Sequence, residues 1–468
     1  MNTCVKSLLS FALLIVVTLT SIYGKSFYTR PDPVFSTRPD EKKSLQNIKR
    51  FGPVGLGIDL LQPAFTMRIS HVEVGSPAAE TGKLSKGQII ESINGKVLQD
   101  IDPRIQLGDI LAKAEATDGL LKFAIKGEAE LVTVKVSVLG AYSRTWPLNC
   151  AKSKKIVRQV ADYLAKPDAQ KGLAGIGVLF LLSTGEKKDL VVAREWARNV
   201  KPHRYPWYVG YGGIPLAETY LRTGDKEILY NIQEWVKNAV ETQYLDGWLG
   251  RGGVTPGYGN GHLNAAGTGV LTFLLLAKEC GAEVPDHALL GALTHFYRYA
   301  GRGNNPYGDN RTEIGFVDNG KNGKLAFAMA AAASLMPDGE KSVYAMARDT
   351  CAMQSFYTTS FMLHGHTGGG IGEIWRSAAM GLLHDKKPAQ YREFMDERRW
   401  HYDLSRRFDG SFGILGGAGY DKEQWGVAYP LAYTIPRKTL RIAGAPPSRF
   451  SKRYKLPKLP WGVQADNT

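Results

Sequence analysis

His364-Gly365-His366-Thr367-Gly368-Gly369-Gly370-Ile371-Gly372-Glu373-Ile374-Trp375 runs without a break into the small-residue stretch 376–383. Taken alone, two histidines two apart and a carboxylate seven residues on suggest the start of a metal site, since imidazole and carboxylate are common zinc ligands. The same texture recurs five more times, as glycine followed by small and apolar residues at helical spacing. The six stretches are 172–183, 212–222, 262–277, 322–335, 369–383 and 424–435. A more amphipathic helical stretch precedes each: 154–164, 190–200, 226–241, 286–299, 340–355 and 388–403. A recurrence of roughly 40–60 residues marks helical-hairpin arrays.

Six hairpins, with small-residue helices inside and amphipathic helices outside, predict an all-α (α/α)6 toroid over 154–441. An open solenoid would leave the glycine-rich lead-ins before the apolar helices unexplained. They make sense if all inner helices start at one mouth, where loops gather. A metal at the opening stretch would then need a further ligand from another lead-in, such as His262 or Asp318, so neither metal nor cofactor is expected. The turns Asp246-Gly247-Trp248-Leu249-Gly250 and Asp409-Gly410-Ser411-Phe412-Gly413 resemble the Asp-Gly-x-aromatic-Gly turns of the terpenoid-cyclase and protein-prenyltransferase toroid superfamily. Cyclase chemistry in that superfamily needs an Asp-x-Asp-Asp acid or an Asp-Asp-x-x-Asp diphosphate site. Neither occurs, so terpene cyclisation is disfavoured, and the fold does not restore it.

The chain of 468 residues is long enough for two or three domains, and its 44% hydrophobic and 22% charged composition is that of a globular protein. One lysine in 1–6, an apolar run at 7–20 and a small-residue exit near Gly24 read as a signal peptide over 1–24. This implies a secreted or periplasmic mature protein. The run is too short to be a membrane span. Polar residues and three prolines make 25–49 a linker. Loss of the leader removes one lysine and no acid, taking the net charge from +15 to +14. That excess suggests an anionic partner such as an anionic polysaccharide, a cell-wall polymer or a lipid surface. Nucleic acid is disfavoured by export and by the lack of any recognised module. The proline-containing tail 442–468 supplies several of the charges. Beyond the leader, Cys150, Cys280 and Cys351 permit at most one disulfide and match no zinc spacing.

Between 50 and 140 the texture is strand-like. Gly55-Leu56-Gly57-Ile58 leads into an alternating stretch at 65–74; Gly75-Ser76-Pro77-Ala78-Ala79 sets a helical turn; 89–94 is a strand ending in an Asn94-Gly95 hairpin turn. In this order the motifs resemble a small α+β PDZ domain of the bacterial, exported type, with 103–116 as groove helix and 121–126 and 131–138 as closing strands. The resemblance implies that Gly55, Leu56, Gly57 and Ile58 bind a protein's C-terminal peptide. Their N–H groups would meet its carboxylate while the peptide adds a strand at the sheet edge. A connector, 141–153, holds Trp146, Pro147 and Cys150. The multidomain whole resembles an uncharacterised family of secreted bacterial proteins with an N-terminal PDZ domain and a C-terminal toroid, which supplies no established reaction.

Toroids of six hairpins also carry polysaccharide hydrolases and lyases, and residues suited to that chemistry sit at the lead-ins here. They are His262 and Asn264; Asp318, Asn319, Asn322 and Lys324; His364, His366 and Glu373; and Tyr420, Asp421 and Glu423. The aromatics Trp207, Tyr211, Trp248, Tyr258, Trp375 and Trp425 suit sugar stacking beside them. Hydrolysis would use Asp318 with Glu373 or Asp421 as acid and base. A lyase would use His366 or Tyr420 to remove a proton beside a uronate carboxylate held by Lys324, Arg311 or Asn319. Trp248, Asn319, Lys324, Trp375 and Trp425 are the expected substrate contacts. Each of these groups also has a structural reading, Asp318 as a helix cap and Asp246 and Asp409 as turn residues. A non-catalytic scaffold using the peptide groove and the toroid cavity is the alternative function.

Overall fold

A computed structural model describes residues 45–48, 51–61, 66–98, 103–249, 261–308, 320–357, 370–414 and 429–461, with backbone alone at 45–48, 370, 371 and 373. The N-terminal part is an antiparallel sheet whose strands lie in sequence order: β1 (Leu45–Ile48), β2 (Leu56–Leu61), β3 (Thr66–Val72), β4 (Ile89–Ile93), β5 (Leu120–Ile125) and β6 (Val132–Lys135). The short helix α1 (Pro77–Glu80) starts where Ser76 accepts the Ala79 N–H at 3.2 Å, with Pro77 in the first turn, where its missing N–H costs nothing. Asn94 and Gly95 both have positive φ, 51° and 72°, as a two-residue hairpin turn requires. Helix α2 (Pro103–Ala116) lays Leu107, Ile110, Leu111 and Ala114 on the sheet, among Phe51, Leu56, Ile58, Ile93 and Phe123.

The rest is helical. Outer helices α3 (Ala151–Leu164), α6 (Lys187–Asn199), α8 (Lys226–Glu241), α10 (Asp286–Ala300), α12 (Val343–Tyr357) and α14 (Pro388–Ser405) alternate with inner helices. The inner ones are α5 (Gly175–Thr184), α7 (Pro206–Thr223), α9 (Asn264–Cys280), α11 (Lys321–Ser334), α13 (Gly370–Gly381) and the short α15 (Leu431–Thr434); a single turn, α4 (Pro167–Lys171), joins α3 to α5. Each inner helix packs on the next and α15 returns to α5, so the inner layer is a closed ring. The amphipathic helices lie outside it, and α5, α9 and α11 are buried almost throughout.

Small residues are what let the ring close. A Cβ on Gly175 would lie 2.2 Å from the Tyr211 carbonyl oxygen, one on Gly320 2.7 Å from that of Gly372, and one on Gly323 2.3 Å from that of Trp375. Gly210 and Gly269 face each other, a Cβ on the first lying 3.0 Å from the Cα of the second. All of these residues belong to the N-terminal halves or lead-ins of inner helices, so the inner helices run parallel with their N-termini at one end.

The C-terminal end is closed by the segment after α15. Thr439 donates to the Ser183 carbonyl, Arg437 to that of Thr184, and Arg441 to that of Ser334, while the Lys452 N–H donates to the Glu279 carbonyl. Helix C-termini leave carbonyls without intrahelical partners, and basic side chains there also oppose the helix dipoles. Arg441 further pairs with buried Glu279 at 2.7 Å, and the backbone N–H groups of Arg441 and Ile442 donate to buried Glu218. The first part of the basic tail is thus packed structure.

The two parts share a seam. Trp400 and Leu404 of α14 complete the core of the sheet domain, and a Cβ on Gly108 would lie 2.8 Å from the Trp400 Cα. Beside this contact Glu115 of α2 is fully buried between Lys152 at 2.8 Å and Arg406 at 2.6 Å; Arg406 also meets Asp403, which accepts from the Tyr142 hydroxyl at 2.7 Å. Cys150, Cys280 and Cys351 are all buried and free, and no helix among the described residues is long and apolar enough to cross a membrane.

Two consequences are measurable. Alanine is the better helix former by about 1 kcal/mol, but Gly323→Ala drives a methyl into the Trp375 carbonyl. Overpacking of that kind costs about 1–3 kcal/mol, so the variant is expected to be less stable in urea; a stabilised variant would contradict the packing. Burial opposes ionisation of Glu115, yet the Arg406 guanidinium, and then Lys152, hold its pKa below the ordinary 4.5. A depressed carboxylate stabilises the fold above its unfolded pKa and loses that contribution as pH falls through the folded value. Stability should therefore drop in acid below about pH 4.5. Glu115→Gln should cost about 3 kcal/mol at neutral pH and flatten the acid limb of the unfolding profile.

Candidate functional site

The N-terminal end of the ring is where the sequence places its chemistry. Helix α7 brings Trp207 and Tyr211, α11 brings Lys324 and Phe327, and α13 brings Trp375 to one small cavity, with Gly210 and Ile214 of α7 and Ala266, Gly269 and Thr272 of α9 as the remaining wall. Spacing explains the set. Trp207 and Tyr211 are four apart and Lys324 and Phe327 three apart, so each pair shares a helix face.

The rings of Trp207 and Tyr211 are stacked, with planes 9° apart and centroids 6.1 Å apart, and the Trp375 indole donates to the Tyr211 hydroxyl at 3.0 Å. Burial pushes the Tyr211 hydroxyl pKa far up, so it stays a neutral hydrogen-bonding group. The Lys324 ammonium lies 3.7 Å from the Trp207 ring centre and 5.1 Å from that of Tyr211, and donates to the Ala265 carbonyl at 3.1 Å. A cation over two aromatic faces is held by their quadrupoles. The cavity holds about 10 Å³ of water-accessible space, enough for about one water.

Beside it, polar side chains hold the lead-in to α11. Arg298 can only donate, so the 2.7 Å contact to His295 Nδ1 makes that nitrogen an acceptor; His295 Nε2 then donates to Asn264 Oδ1 at 2.9 Å. The Asn264 amide is left to donate to the Gly308 carbonyl at 2.9 Å, while Asn322 Oδ1 accepts the Asn305 N–H at 2.8 Å. Both asparagines are therefore bound up in positioning 305–308. His262 Nε2 donates to the Tyr244 carbonyl at 2.6 Å, which ties α9 to the hairpin of β7 (Gln243–Tyr244) and β8 (Gly247–Trp248).

Several expected contacts are thereby placed. Lys324 and Trp375 do line the cavity. Trp248 does not: its indole is stacked on Phe296, donates to the Ala239 carbonyl at 2.8 Å and is 1% exposed, so it cannot stack on a sugar. In that hairpin Leu245 and Asp246 supply the positive φ, and Gly247 is required because a Cβ there would lie 2.6 Å from the His262 ring. His364, His366, Asp318, Asn319, Arg311, Tyr420, Asp421, Glu423, Tyr258 and Trp425 lie outside the described residues, as does the side chain of Glu373, whose backbone is in the first turn of α13. Among the described residues no three His, Cys, Asp or Glu side chains gather as a metal site. His295 and Phe327 were not singled out from the sequence; Phe327 is legible only as the residue one turn beyond Lys324.

In the sheet domain, Gly55 takes φ +80° at the end of a 3-10 turn, and Leu56 and Ile58 are buried. The edge of β2 to which a peptide would add is already taken. Strand β1, in a stretch expected to be linker, pairs with it antiparallel, Ile48 opposite Ile58 and Leu45 opposite Leu61.

Sheet, ring and aromatic floor define a two-part protein with a closed helical ring whose N-terminal mouth carries the candidate site. Residues 153–444 match the family described as Domain of unknown function (DUF6288), and the chain belongs to that family. No curated protein sequence matches it. Among solved structures the chain is similar to the GH76A alpha-1,6-mannanase from Salegentibacter sp. HEL1_6, at 13% identity and a TM-score of 0.46 over 60% of this chain and 99% of that one. An inactive variant of the same mannanase in complex with alpha-1,6-mannotriose gives 13% identity and a TM-score of 0.45 over the same shares.

Proposed function

We propose that the N-terminal mouth of the ring is a glycan site and that the protein hydrolyses a polysaccharide there. The observation that carries this reading is the floor built from Trp207, Tyr211 and Trp375 around Lys324, aromatic faces beside one fixed polar group. In the sequence the proposed acids stand near the start of these helices. Gly320 and Gly372 meet where α11 and α13 begin; Asp318 is two residues before the first and Glu373 is next to the second. Glu373 with Asp318 or Asp421 is our choice of acid and base, their separation setting inversion or retention. The small volume of the floor supports the second reading, a binding protein without catalysis.

Incubation of the mature chain with neutral and acidic polysaccharides, following reducing ends and unsaturated-uronate absorbance, separates the readings. Reducing ends without uronate absorbance are expected, and Glu373→Gln should lower their formation by roughly 100-fold or more while polymer retention in a gel persists. Retention with no product from any polymer would leave the binding reading. An intact mass lacking residues 1–24 would support export.

We further propose that the sheet domain is a peptide-binding module of the PDZ kind whose β2 edge is covered by its own strand β1. A labelled peptide ending in Leu-Gln-Asn-Ile should bind the full chain weakly. Gln46→Pro with Asn47→Pro, which removes ladder donors from β1, should tighten binding by roughly tenfold. Equal affinity for both proteins would show that β1 does not cover the peptide site.

A further inference from the structure

Two large open spaces lie at the other end of the ring. Two adjoining lobes of about 810 and 580 Å³ meet along Ser334, Met336, Pro337, Arg441 and Pro447, forming a groove beneath the closed ends of the inner helices. One wall of the larger lobe is the segment Lys452–Lys455.

Residues 437–458 hold eight lysines and arginines and no aspartate or glutamate. Three of the eight are engaged in closing the ring end: Arg437 on the Thr184 carbonyl, Lys438 on Asp385 and Arg441 on Glu279. The other five, Arg449, Lys452, Arg453, Lys455 and Lys458, are exposed and form no ion pair among the described residues. Glu279 is the one carboxylate lining the larger lobe, and Arg441 neutralises it. In the smaller lobe the cations Arg348, Lys386 and Lys438 are matched by Glu340, Asp349 and Asp385. Uncompensated positive charge is thus concentrated in the larger lobe.

The wall that carries it is anchored. The Lys452 N–H donates to the Glu279 carbonyl at 2.7 Å, the Tyr454 hydroxyl reaches Asp286 at 3.1 Å, Leu456 is buried, and Phe450 fills the space above Gly224. The backbone is fixed while the charged tips stay in solvent, so a ligand would not have to order the segment. A concave, one-signed surface focuses potential toward an anion. A flat bilayer cannot enter a groove, whereas a flexible charged chain can.

We propose that this groove is a second binding site, separate from the mouth, for a linear acidic polysaccharide whose anionic groups are met by Lys452, Arg453 and Lys455. Affinity electrophoresis of the mature chain tests it, with polygalacturonate as the acidic probe, a neutral mannan as control, and vesicles containing phosphatidylglycerol and a single-stranded oligonucleotide as competitors. Retention by polygalacturonate is expected, and it should weaken as salt rises from about 50 to 500 mM, because the contacts are exposed. Lys452→Ala with Arg453→Ala and Lys455→Ala should lose at least roughly tenfold in affinity with no change in thermal unfolding, and Lys324→Ala at the mouth should keep it. The site is overturned if the triple variant binds like the parent, if only Lys324→Ala loses retention, or if mannan is held equally well. Stronger capture by vesicles or oligonucleotide, or no retention at all, also overturns it. Retention by the parent protein without cleavage of any polymer would count against the hydrolase reading of the mouth alone.

Discussion

Six parallel inner helices align their peptide dipoles, and the two ends of the ring inherit opposite electrostatic problems. At the C-terminal end, carbonyls without helical partners converge, and the chain resolves this with Arg437, Thr439, Arg441 and the Lys452 backbone N–H. At the N-terminal end the dipoles are positive, and the buried charged side chains described there, Lys321, Lys324 and Arg376, are positive as well. The buried carboxylates among the described residues, Glu115, Asp189, Glu218, Asp225, Glu279 and Asp403, are used at the seam or toward the closed end. Such a mouth favours anionic groups. In the sequence Asp318 stands three residues before α11 and Glu373 in the first turn of α13.

That parallel packing was largely legible in the sequence, because small residues at helical spacing have few other uses when they recur six times. The glycines of 172–183, 212–222 and 322–335 predict close approach, and the structure places Gly175, Gly212 and Gly323 against neighbouring helices. Less legible was what a motif is for. Asp246-Gly247-Trp248 reads as a turn with an exposed aromatic, but its glycine makes room for His262 and its tryptophan is core. Both assignments depend on a partner from another hairpin, which no local pattern encodes. The same holds for Asn264 and Asn322, whose amides are committed to the 305–308 segment.

The seam was invisible for a related reason. Helix α14 reads as one amphipathic outer helix, yet it has two buried faces, one toward the ring and one bearing Trp400 and Leu404 toward the sheet domain. A single hydrophobic stripe cannot announce a second partner. Glu115, Lys152 and Arg406 are far apart in the sequence, and only the fold brings both cations within 3 Å of Glu115. Breaking one member leaves buried charge behind, so the triad binds the sheet domain to the ring in a fixed orientation.

A fixed seam has a functional consequence, because α14 leads into the stretch that carries Tyr420, Asp421 and Trp425. The face of α2 that holds α14 is formed by Arg104, Gly108 and Glu115, and that helix is the one the PDZ resemblance assigns to the peptide groove. That helix is clamped at both its first turn and its last. The sheet domain is therefore packed against the outside of the ring through α14 and is not merely tethered to it.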